Sequence, residues 1–180
     1  PEFMAKLSMA TIDNLVDLHQ VDVEASGLIE MGKPEGYVQR QVEGWILRYK
    51  KSETDDIPAM NFAAEWMLAR IPDDGKPAFI HNDYKYDNLV LRPDQPDDFI
   101  SGVLDWEMAT VGDPLMDLGT SLAYWAEDDE SPAMKPFGLT WLPGNLKRQQ
   151  VIERYAERTG RKIDEMLFYY IFGSFKVGVI

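Results

Sequence analysis

The most constraining feature of this chain is a change of hydrophobic period in its middle. Residues 78–91, "AFIHNDYKYDNLVL", hold two short β-type runs with a polar knot of His81, Asn82, Asp83, Lys85, Asp87 and Asn88 between them. "NLVLRP" and "FISGVLDW" continue the β-type pattern, separated by the turn-rich "DQPDD". The reading is a small β-hairpin region over about 78–106 with polar residues at its ends. Helical patterns lie on both sides of it. A chain of this kind is α+β and mostly helical, with a few strands serving to display a loop.

The flanking helices follow from apolar spacing. Met9, Ile12, Leu15, Val16 and Leu18 mark a helix over 9–20, on which His19 reads as a partly buried structural residue. Pro34 opens a second pattern, whose stripe is Tyr37, Val38, Val42, Trp45, Ile46 and Tyr49. A third helix near 58–70 turns Phe62, Ala63, Trp66 and Met67 inward. After the β region, Asp113 reads as an N-cap with Pro114 in the first turn. "DDESPAMKPFG" is a loop, and "NLKRQQVIERYAERTG" is an amphipathic helix closed by Gly160. "FYYIFGSFKVGVI" stops on apolar residues and reads as a chain cut inside a helix. "PEFM" reads as a cloning remnant over residues 1–3, with the domain proper over 4–180.

Charge and composition narrow the function. The net charge is −13, which repels phosphate backbones and anionic lipid, so nucleic acid and membranes are not expected partners. There is no cysteine, which removes disulfide scaffolds and cysteine zinc sites and fits a cytoplasmic location. No apolar run approaches the roughly 18 residues of a membrane-spanning helix. The acidic stretch 127–131 beside Tyr124 and Trp125 reads as a solvated loop, with capture of a cationic amine as the sharper alternative.

Three acceptors stand in order: Asp83, Asn88 and Asp105. A loop between short strands can aim Asp83 and Asn88 to one side, and a hairpin return brings Asp105 beside them. A carboxylate and an amide oxygen converging in this way suit Mg2+, which takes few protein ligands and leaves room for phosphates. A further carboxylate can accept the proton of a hydroxyl nucleophile. That is the minimum equipment for phosphoryl transfer.

"HNDYKYDN" resembles the H-x-D-x-x-x-x-N catalytic loop of the protein-kinase-like fold, in the form used by aminoglycoside and choline phosphotransferases. "VLDWEMATVGDPLMDLG" resembles the segment that follows in the aminoglycoside phosphotransferase family, and the flavour is that of its bacterial and acyl-CoA-dehydrogenase-associated branch. The resemblance implies the C-terminal lobe of that fold, without its nucleotide-binding lobe. It implies Asp83 as catalytic base and Asn88 and Asp105 as Mg2+ ligands that hold ATP or another NTP. It makes His81 a buried support, and Asp113 and Asp117 structural groups of the next helix start. Lys85 reads as solvated by default, or else in contact with a transferred phosphate. Trp106 and Glu107 replace the Phe-Gly of protein kinases, which argues against their style of switching.

The expected activity of the parent protein is γ-phosphate transfer to a small-molecule hydroxyl, with this lobe inactive alone. The alternatives are a pseudokinase-like binding module and a metal-dependent phosphohydrolase. A homodimer through the exposed inter-lobe face is also compatible with a lone lobe.

Overall fold

The computed structural model describes residues 1–95, 99–132 and 135–180. Parts of the turn-rich breaks read at 94–98 and 128–138 fall outside the described residues. Among the described residues, six α-helices enclose two small antiparallel strand pairs. The class is α+β and mostly helical, in agreement with the sequence reading.

The long helices form where apolar stripes repeat. Helix α1 spans Glu2–His19 and buries Leu7, Thr11, Ile12, Leu15, Val16 and His19 along one face. Helix α2, Tyr37–Ser52, buries Tyr37, Val38, Val42, Trp45 and Tyr49. Helix α3, Pro58–Leu68, has its proline in the first turn and buries Ala64 and Met67. Phe62 departs from the expectation: its side chain is 68% exposed. The inward stripe of α3 runs through Met60, Ala63, Ala64 and Met67, and position 62 falls off that stripe.

The strands pair differently from one simple hairpin region. Strand β1, Ala78–Ile80, pairs with β4, Thr110–Gly112, and Phe79 lies opposite Val111. Strands β2, Leu89–Leu91, and β3, Ile100–Val103, make the local hairpin, with Leu89 opposite Val103. The segment 81–88 therefore leaves one strand pair and enters the other. Two ladders of this kind fix both ends of a loop that has no regular structure of its own.

Helix α4, Pro114–Tyr124, is the central element. The Asp113 carboxylate accepts the Leu115 N–H at 2.8 Å, and Pro114 occupies the first turn. Met116, Asp117, Leu118, Gly119, Thr120, Ser121, Leu122 and Ala123 are all buried. A helix covered on all sides belongs to a core. Helix α5, Arg148–Thr159, lies along α1, tied by a bidentate Arg154–Asp13 pair at 2.8 and 2.6 Å.

Helix α6, Met166–Val179, crosses α4 in backbone contact. A Cβ on Gly173 would stand 2.3 Å from the Gly119 carbonyl oxygen, and one on Gly119 would stand 2.3 Å from that of Tyr169. Only glycine admits this approach. Among the described residues no helix is long and apolar enough to cross a membrane.

Candidate functional site

The loop after β1 is organised by His81, whose side chain is fully buried. Its Nδ1 accepts the Asp83 N–H at 3.2 Å, which leaves Nε2 to donate to the Leu104 carbonyl at 2.8 Å. Both ring nitrogens are engaged in holding backbone, so His81 supports the loop and links it to the segment that carries Asp105.

Asn82 adopts a left-handed conformation, φ +67°, which asparagine tolerates better than most residues. Four hydrogen bonds hold it there. Its N–H donates to Asp117 Oδ1 at 2.8 Å, and its Nδ2 donates to the Met108 carbonyl at 3.0 Å. Its Oδ1 accepts the Tyr37 hydroxyl at 3.2 Å, and its carbonyl accepts the Lys176 ammonium at 2.5 Å. Tyr37 reaches this position because its ring lies against Gly112, where a Cβ would come within 2.7 Å of it. Burial raises the Tyr37 pKa and keeps the phenol a donor.

The carboxylate of Asp117 anchors the loop from below. It is fully buried, accepts the His81 N–H at 2.7 Å as well as that of Asn82, and pairs with His19 Nε2 at 3.1 Å. His19 Nδ1 in turn meets the Tyr155 hydroxyl at 2.8 Å. Burial works against ionisation of Asp117, but the His19 bond and the His81 N–H outweigh it and hold its pKa below the usual carboxylate range. Asp113 goes the other way: burial raises its pKa in spite of hydrogen bonds from Leu115, Gly75 and Tyr169.

Asp83 and Asn88 meet directly. Asn88 Nδ2 donates to the Asp83 carbonyl at 2.7 Å and to its Oδ2 at 3.0 Å. The amide is thereby oriented with its nitrogen toward Asp83, and its Oδ1 takes no hydrogen bond from the described residues. Lys85 Nζ contacts both Asp83 carboxylate oxygens, at 2.8 and 2.7 Å, and lies 4.7 Å from the Tyr124 ring centroid. Burial disfavours the Lys85 ammonium, yet the Asp83 contact raises its pKa above the ordinary lysine value. The default reading of a solvated Lys85 is corrected: an ion pair two residues away holds it against the loop.

Asp105 enters through the β2–β3 ladder. The Leu104 N–H donates to the Asn88 carbonyl at 2.8 Å, so Asp105 follows a residue paired with Asn88. Asp105 is itself left-handed, at φ +67° and ψ +55°. The next residue fixes the turn: the Trp106 ring stacks on Phe79 at 5.6 Å, and its Nε1 donates to the Val103 carbonyl at 2.7 Å. The Asp105 carboxylate is exposed and accepts no hydrogen bond from the described residues. Among those residues, no three His, Asp or Glu side chains converge as a metal-binding group. A divalent cation would therefore rest on a carboxylate, an amide oxygen and the oxygens of a phosphate ligand, a set that suits Mg2+.

Asn82, Tyr37 and Lys176 were not singled out as site residues by the sequence reading. Lys176 did leave a signal: it is the lone charge in the apolar run "LFYYIFGSFKVGVI", and an isolated charge in such a run needs a partner. Tyr37 was absorbed into the core stripe of α2, and nothing in its spacing marks the hydroxyl.

Comparison with known proteins decides the family. A family model described as "Phosphotransferase enzyme family" matches residues 7–158. The chain belongs to this family. Its likeness extends to solved members of the phosphotransferase group. A candidate aminoglycoside phosphotransferase from Ralstonia eutropha JMP134 superposes with a TM-score of 0.80 at 32% identity, covering 98% of this chain and 54% of that one. An aminoglycoside-3'-phosphotransferase of type VIII superposes with a TM-score of 0.67 at 16% identity over 96% of this chain and 61% of that one, a likeness of fold alone. Among curated relatives, acyl-CoA dehydrogenase family member 10 of Mus musculus is 32% identical over 170 residues, which is 92% of this chain and 16% of that protein. Acyl-CoA dehydrogenase family member 11 of Gallus gallus is 39% identical over 117 residues, 63% of this chain and 15% of that protein. The chain thus spans about half of the Ralstonia structure and about one sixth of these relatives.

Proposed function

We propose that this phosphotransferase chain is the C-terminal lobe of a small-molecule kinase, which transfers the γ-phosphate of ATP, or of another NTP, to a hydroxyl group. Sequence outside residues 1–180 would supply the nucleotide-binding lobe. The observation that carries this reading is the junction of Asp83 and Asn88, together with the backbone bond that ties Leu104, the residue before Asp105, to Asn88.

In this reading Asp83 accepts the proton of the acceptor hydroxyl as that oxygen attacks phosphorus. Lys85 steadies the Asp83 carboxylate before the acceptor arrives and is placed to meet the incoming phosphoryl oxygens afterwards. Asn88, through the Oδ1 that its amide orientation leaves open, and Asp105, through its exposed carboxylate, would hold Mg2+. The bound ion would neutralise charge on the triphosphate oxygens. His81, Asn82 and Asp117 carry no proton in this scheme. They fix the backbone from which Asp83 projects.

The test is a phosphotransfer screen of hydroxyl metabolites with the protein joined to its nucleotide-binding lobe, using Asp83→Asn and Asp105→Ala as controls. Transfer to an acceptor, lost in both variants, supports the reading. Mg2+–ATP binding without transfer to any acceptor favours a pseudokinase-like module. Phosphate release that needs no acceptor favours a phosphohydrolase. The 180-residue lobe alone is expected to show no turnover, since losing even one electrostatic element of such a site costs about 3–4 kcal/mol of barrier stabilisation.

A further inference from the structure

We infer that the cleft between α2, α6 and the His81–Asp83 loop binds an anionic group of the phosphate acceptor, so that the acceptor is a hydroxyl compound bearing a carboxylate or phosphate. This inference rests on the proposed kinase reading and deepens it.

The cleft has a volume of about 320 Å³ and is lined by Lys33, Arg40, Arg48 and Lys176, with no acidic residue in its lining. The whole chain carries 31 acidic against 18 basic residues, so four cations around one concavity run against its overall charge. None of the four forms an ion pair with a described carboxylate. Other basic residues do pair, as in Arg154–Asp13, Arg148–Glu130, Lys147–Asp128 and Lys162–Asp164, while those unpaired among the described residues, such as Lys6, Lys51 and Arg70, are scattered rather than gathered around one cavity.

Lys176 gives the second observation. Its side chain is 3% exposed, and among the described residues its ammonium makes direct contact with the Asn82 carbonyl and the face of Trp45, 5.5 Å from the ring centroid, while the Asp117 and Asp83 charges act on it without an ion pair. An ammonium has three donors, and a buried one without a counter-ion is costly. Arg48 covers Trp45 as well, at 4.6 Å from its centroid, so both cations share one aromatic floor. The guanidinium of Arg40 donates to the carbonyls of Lys33 and Glu35 and shapes the loop at the rim.

The position decides what the anion belongs to. Asn82 lines the cleft and Asp83 is the next residue. Asp83, Asn88 and Asp105 do not themselves line it, but of these three it is the Asp83 charge that acts on Lys176 in the cleft wall. A short molecule with its acid group at Lys176 could bring a hydroxyl to Asp83. A cationic amine would be repelled.

The test is a titration of the protein without nucleotide, read by the indole NMR signal of Trp45, which Trp45→Phe assigns. The probes are glycerate, glycerol 3-phosphate, neutral glycerol and cationic choline. The two anions should saturate the signal while glycerol and choline should not. Arg48→Gln and Lys176→Met should each weaken anion binding about tenfold, as expected for loss of one charge-assisted contact, and Lys176→Arg should restore most of it. Arg48 is exposed, so its variant reports even if Lys176→Met fails to fold. Three results would each overturn the assignment: equal binding of choline, anion binding unchanged in Arg48→Gln, or displacement of glycerate by Mg2+–ATP. Asp83→Asn should bind both anions normally. Anion binding with no phosphotransfer to any acceptor would leave the cleft standing and remove the kinase reading, and transfer to uncharged acceptors alone would do the reverse.

Discussion

Lys85 Nζ stands 2.8 and 2.7 Å from the two carboxylate oxygens of Asp83, so the proposed base is gripped at both of its reactive atoms. Replacing the base with asparagine should lower kcat by about 10²–10⁴. The loop should survive that change, because Asn88 also holds the Asp83 backbone carbonyl. Lys85→Met should lower kcat by about tenfold or more with a smaller effect on nucleotide KM. Steady-state kinetics and circular dichroism on the same preparations check both points.

Asp105 offers an exposed carboxylate with no hydrogen bond from the described residues. Asp105→Ala loses no side-chain bond but puts alanine into the left-handed backbone that aspartate tolerates better, so it should cost about 1 kcal/mol of stability. It should abolish the part of nucleotide binding that depends on Mg2+. Thermal shift with ATP, measured with Mg2+ and with EDTA, separates the two effects. Equal Mg2+ dependence in wild type and variant would remove Asp105 from the metal site.

Asp117 is the acceptor for two backbone N–H groups and the partner of His19. Asp117→Ala leaves all three without an acceptor in a dry core and should destabilise the protein by about 3–5 kcal/mol. Asp117→Asn keeps one acceptor oxygen and should cost less. The pKa of this carboxylate is lower folded than unfolded. The stability it contributes is thus fully present above the ordinary carboxylate range and is lost as pH falls through the folded value. Denaturant unfolding across the acid range should show a steeper loss for wild type than for Asp117→Asn.

Lys176 makes the opposite kind of prediction. Burial lowers its pKa from 10.5 to about 8, against the attraction of Asp117 and Asp83 and with the help of Lys85 and Arg48. Between those values the unfolded chain binds a proton that the folded chain does not, so stability rises with pH. Relative to Lys176→Met, wild type should gain about 3 kcal/mol from pH 8 to pH 10.5. Urea unfolding at several pH values reads this directly, and parallel curves for the two proteins would refute it.

Gly173→Ala should destabilise the protein even though alanine is the better helix former by about 1 kcal/mol. The added Cβ would meet the Gly119 carbonyl oxygen at 2.3 Å, and overpacking of this kind costs about 1–3 kcal/mol or more. A drop in Tm without change in helix content checks it.

Much of the fold was legible because helices announce themselves by local spacing. The stripes of α1 and α2 are largely the faces that the structure buries, except that Met9, counted into the first, is 37% exposed. Phe62 was misplaced because an aromatic residue near a stripe is easily counted into it. The β1–β4 pairing escaped because β4 is three residues long and joins its partner across the whole hairpin. The loop proposed as catalytic was legible as a motif, since His81, Asp83 and Asn88 lie within eight positions of one another. Its supports were not. Asp117 reaches Asn82 from 35 residues away and Lys176 reaches it from 94. Neither distance leaves a periodic trace.

Two helices hold Asn82 from different sides, α4 through Asp117 and α6 through Lys176, and those helices meet where Gly119 faces Gly173. The calibre of the jaw that clamps the loop is thus set by two hydrogen atoms standing where other residues carry methyl groups. A methyl there would reach the proposed base as a misaligned Asp83, from positions buried between two helices.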